Sequence, residues 1–109
     1  MSIYPIKIIR NEGIEKVLIG VPKGHEHLRV CMKLKDNSAM IFQEATMANI
    51  LRAYVTIKTH PTIKAQELKM RMIDKTSQKQ GYALHQLLET SRNQEEIEEE
   101  LTEFLAKST

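Results

Sequence analysis

One cysteine, three prolines, four glycines and no tryptophan are found among the 109 residues of this chain. Each shortage removes a class of explanation. The lone Cys31 forms no internal disulfide, which sets aside the stapled secreted domains and makes a reducing compartment, the cytoplasm, the expected location. The scattered glycines leave no dinucleotide-binding fingerprint. Gly20-Val-Pro-Lys-Gly24 lacks the Lys-Ser/Thr of a phosphate-cradling loop and leads into a strand rather than a helix, so it reads as a hinge. No stretch approaches the roughly 18 apolar residues of a membrane helix, and Met1-Ser-Ile-Tyr-Pro5 has neither the basic start nor the apolar run of a secretory signal. The expectation is one α+β domain over residues 1–109 with no membrane attachment.

What is present is ordinary globular chemistry, 41% hydrophobic and 28% charged residues, which places the chain outside the disordered class. The clearest pattern lies between His25 and Phe42. Leu28, Val30, Met32 and Leu34 alternate with His25, His27, Arg29, Cys31, Lys33 and Lys35, a period of two that predicts a strand with one face on a core. Asp36-Asn37-Ser38 supplies a turn and Met40-Ile41-Phe42 a returning strand. Ile3–Ile9 predicts an edge strand, with Pro5 tolerated near its beginning, and Glu15–Val21 another, with Val17, Ile19 and Val21 on one face. Together these make a four-stranded antiparallel meander, to be covered on one face by C-terminal helices.

Met47, Ile50, Leu51, Tyr54 and Ile57 recur at helical spacing after a Thr46 cap, and Pro61 requires the helix to have ended. This stripe is the expected cover for the Val30 face of the sheet. Residues 62–74 are rich in helix formers and are read as a second helix. The alternation of Leu68, Met70 and Met72 with Lys69 and Arg71 supports the competing reading, a fifth strand at 67–73. Lys75–Gly81 reads as a polar loop and Tyr82–Glu89 as a helix with Leu84, Leu87 and Leu88 on one side. The closing stripe of Ile97, Leu101, Phe104 and Leu105 lies about opposite that of Leu88 on a straight helix, so a break is expected at Ser91-Arg92-Asn93, with Asn93 capping the last helix.

The net charge of +2 conceals a division. Residues 1–80 carry fourteen Lys and Arg against seven Asp and Glu; residues 81–109 carry two against seven. A basic body and an acidic end can meet within one chain, across a homodimer, or on an anionic partner.

Three constellations carry the functional expectations. His25-x-His27 on a strand points both imidazoles the same way, about 7 Å apart, a start for zinc or another transition metal that still lacks a third ligand. Lys23, Arg29, Lys33 and Lys35 extend the same face into a basic ladder for phosphates or nucleic acid, but none of the few aromatics lies on it to stack a base. Cys31, with Glu26 and Glu44 as neighbours, is a formal nucleophile whose bland reading is packing. No complete catalytic set is visible. The leading expectation is therefore a cytoplasmic, non-enzymatic protein-interaction or regulatory module that self-associates as a homodimer through the charged sheet face and the amphipathic acidic tail. The alternatives are anion or nucleic-acid binding through Lys23, His25, His27, Arg29, Lys33 and Lys35, and a metal-dependent activity through His25 and His27.

Overall fold

A computed structural model describes residues 4–74 and 83–107 of the chain. The architecture is α+β: a three-stranded antiparallel sheet of β1 (Ile14–Gly20), β2 (Arg29–Leu34) and β3 (Ala39–Gln43), then α1 (Glu44–Thr59), a two-stranded hairpin of β4 (Leu68–Met72) and β5 (His85–Glu89), and α2 (Gln94–Lys107). β2 is central. Val17, Met32 and Met40 lie in one row across the sheet and Ile19, Val30 and Phe42 in the next, so the apolar residues of three strands share a face. Val30 and Leu34 are buried, and α1 packs against β2 and β3.

The β2–β3 turn is fixed by local chemistry. The Leu34 amide donates to Ser38 O and the Asn37 amide to Leu34 O, while Asn37 takes φ 70°. This is a tight turn closed by a left-handed residue, a position asparagine tolerates better than branched side chains. Asp36 accepts from both the amide and the hydroxyl of Ser38 and pairs with Lys7 at 3.1 Å, tying the N-terminal segment to the turn.

Three expectations are corrected. The meander has three strands rather than four among the described residues, because Tyr4–Ile9 joins no ladder. Residues 68–72 form a strand, the competing reading, and not a helix. His85–Glu89 is also a strand: each of its residues pairs with one of Leu68–Met72, and that cross-strand pairing overrides a helical leucine spacing only one turn long. Tyr82, the expected start of that helix, the Lys75–Gly81 loop and Ile3 lie outside the described residues.

The break before α2 is where it was expected. Asn93 Oδ1 accepts the Glu95 amide at 2.7 Å, capping the helix, and Glu95 and Glu96 occupy its positive end. Among its bonds, α2 is anchored to the segment before β4. Gln94 Oε1 accepts the amides of Lys64 and Ala65, Gln94 Nε2 donates to Thr62 O, and Ile97 and Ala65 are buried. The Tyr4 and Phe104 rings meet at 5.6 Å between centroids.

Candidate functional site

The histidines and the basic residues do not form one strand face. Lys23, His25 and His27 occupy the exposed loop between β1 and β2, where Gly24 takes φ 80° and the His25 amide closes a turn on Pro22 O. The strand begins only at Arg29. Pro22 and Gly24 bend the chain just where the alternation of residues 25–28 reads as strand. His27 Nδ1 lies 4.0 Å from Glu44 Oε2, and Glu44 Oε1 accepts the Leu28 amide at 2.8 Å, so Glu44 clamps this loop to the start of α1. No group of three or more His, Cys, Asp and Glu residues with metal-holding geometry occurs among the described residues.

Arg29, Cys31 and Lys33 do share the sheet face opposite Val30. Arg29 folds back to donate to Leu28 O at 3.1 Å and His27 O at 3.4 Å, and Lys33 pairs with Glu15 across the strands at 3.4 Å. Lys35 lies beyond the strand end, in the turn, its amide bonded to Gly13 O. The middle of this face is apolar. Leu18 of β1 and Ile41 of β3 stand directly on either side of Cys31, both exposed. One strand read alone conceals this row, since it comes from three.

The acidic tail is held by a cation of its own. Arg92 reaches Glu67 at 3.0 Å, Glu100 at 2.6 Å and Glu96 at 3.5 Å, while Thr90 Oγ1 donates to the other Glu67 oxygen at 3.0 Å. Glu100 and Glu67 together push the Arg92 pKa up, and the Thr90 hydroxyl, then Arg92, hold Glu67 below the usual carboxylate range.

The largest departure from the sequence pattern is α1. Its inward side carries Asn49, Ala53 and Thr56; Asn49 is 6% exposed and donates to Gln86 Oε1 at 2.9 Å, linking α1 to β5. Its apolar side faces solvent: Leu51 is 55%, Tyr54 58% and Val55 54% exposed, and Ile50 is exposed beside them. The stripe expected to cover the sheet is turned outward, leaving only Met47 and Ile57 half-buried. Small and polar side chains point inward because they let α1 seat against both the larger sheet and the hairpin, with the Asn49–Gln86 bond satisfying the buried amide. Counting apolar spacing could not have placed Asn49 at the interior; three small or polar residues at i, i+4 and i+7 are the signal that was there.

Between α1 and the hairpin runs an open cleft of about 260 Å³, lined by Asn49, Arg52, Thr56, Leu68 and Glu89 among others. It is smaller than the ~300–1,000 Å³ of usual ligand pockets. No helix among the described residues is long and apolar enough to cross a membrane. Comparisons with protein-family models, with curated proteins and with solved structures found no match.

Proposed function

We propose that this protein is a non-enzymatic cytoplasmic interaction or regulatory module that works by burying its outward apolar surface against protein, and that it self-associates. The observation that carries this reading is α1, which buries an asparagine and exposes Ile50, Leu51, Tyr54 and Val55. A helix that belongs wholly to its own core is arranged the other way. Contiguous apolar exposure of this kind marks an interaction surface.

The polar groups support a non-enzymatic role, because Arg29, Lys33, Glu44, Glu67 and Arg92 are engaged in holding loops, strands and α2 together.

Light scattering on the full chain at micromolar concentration tests the reading. A dimer or higher species is expected. A strict monomer across the whole range overturns self-association, and failure to bind 1-anilinonaphthalene-8-sulfonate overturns the exposed apolar interaction surface.

A further inference from the structure

We infer that the second copy of this chain docks on α1, antiparallel to it about a two-fold axis through Leu51; the inference rests on the self-association proposed above and specifies its surface and geometry. The outward side of α1, exposed but for the half-buried Met47, has a regular grammar. Glu44, Met47, Leu51, Tyr54 and Lys58 follow one another at spacings of three, four, three and four, the seam of a helix that pairs with another helix. Val55 and Ile50 widen that seam on its two sides.

The two ends of the seam decide the partner and its direction. Glu44 and Lys58 lie at equal distances from Leu51, seven residues to either side, and they carry opposite charges. Laid antiparallel on itself, the seam brings Glu44 against the second copy's Lys58 at one end and Lys58 against Glu44 at the other. Leu51 then meets Leu51 on the axis, and on each side Met47 meets Val55 and Tyr54 lies over the small Ala48. This is the self-complementarity that an isologous contact requires. Laid parallel, the same seam sets Glu44 against Glu44 and Lys58 against Lys58, which repels at both ends. Opposed helix dipoles favour the antiparallel arrangement as well.

Both end groups are available to a partner. The Glu44 side chain remains half exposed although Oε1 accepts the Leu28 amide and Oε2 lies 4.0 Å from His27 Nδ1, and Lys58 is exposed. No glycine or proline interrupts the sixteen residues of α1, and at 1.5 Å per residue the helix offers about 24 Å of continuous contact.

Single cysteines on the full chain in a Cys31→Ser background read the geometry directly, with a short bis-maleimide as the linker. Leu51→Cys is expected to cross-link to itself. Lys58→Cys alone is expected not to, and a mixture of Glu44→Cys and Lys58→Cys chains is expected to give the mixed dimer. Independently, Lys58→Glu, which leaves the Glu44–Leu28 bond in place, should weaken the dimer about tenfold or more with unchanged helix content by circular dichroism. A dimer in which Leu51→Cys fails to cross-link, or in which Lys58→Cys links to itself, overturns this arrangement while self-association stands. A chain that is monomeric by light scattering overturns both.

Discussion

Asn49 donates its side-chain amide to Gln86 Oε1 at 2.9 Å, and Gln86 in turn donates to Ala83 O at 3.0 Å. A buried asparagine on α1 is thus satisfied by a residue of β5, and the pair sets how the helix lies on the hairpin. Removing one partner strands the other's polar group. Asn49→Ala is expected to cost about 1–3 kcal/mol of stability, measured by urea unfolding, whereas Asn49→Leu with Gln86→Leu should cost less than either single leucine variant. A double-mutant cycle that returns no coupling would show that the bond does not set the packing.

The turn at Asp36 should respond to acid. Hydrogen bonds from the Ser38 hydroxyl and amide, with Lys7 alongside, hold the Asp36 carboxyl down to about 2. A carboxylate whose folded pKa is depressed contributes stability that is complete above its unfolded value, near 3.9, and disappears as the pH falls through the folded one. The contribution should fade between about pH 4 and pH 2. Carboxyl NMR titration is expected to place Asp36 well below the ordinary aspartate range, and the stability difference between the wild type and Asp36→Asn should shrink across that window.

Glu67 obeys the same sign by a different route. Its carboxyl is lowered first by the Thr90 hydroxyl and then by Arg92, so its contribution to holding α2 is present above the ordinary glutamate range and lost as the pH falls below it. Arg92→Met removes the cation shared by Glu67, Glu96 and Glu100. Titration of Glu67 in that variant should move upward. α2 should exchange its amides faster than in the wild type at neutral pH, where three carboxylates are left with no guanidinium between them.

How far the fold could be read from residues varied with whether the cause was local. The Asp36-Asn37-Ser38 turn, the end of α1 before Pro61 and the Asn93 cap were legible, because a turn, a ring and a side-chain oxygen act within a few residues. The α+β class was legible as well. The identity of 68–72 and 85–89 was not, since five-residue strands take their stability from each other across an intervening stretch. The candidate site fared worst. His25 and His27 alternate like strand residues but sit in a loop bent at Pro22 and Gly24, and the apolar stripe of α1 predicts a core contact that Asn49 makes instead. Periodicity reports that a helix has an apolar face; it does not report which body that face covers.

The seat of α2 supplies the last prediction. The Gln94 side chain is bonded to main chain on both its oxygen and its nitrogen, receiving the amides of Lys64 and Ala65 and donating to Thr62 O, so one side chain acts as a short strand partner for residues 62–65. Ala65 is itself buried, and its amide has little access to replacement water. Gln94→Ala should therefore cost about 1–3 kcal/mol, more than an exposed helix-terminal substitution ordinarily does. Gln94→Glu keeps the acceptor but sets a carboxylate oxygen against Thr62 O where the amide donated, so it should fall between the two. Amide exchange at Lys64 and Ala65 separates the cases: strongly accelerated in Gln94→Ala, and close to wild type in Gln94→Glu, where the two amides still have an acceptor.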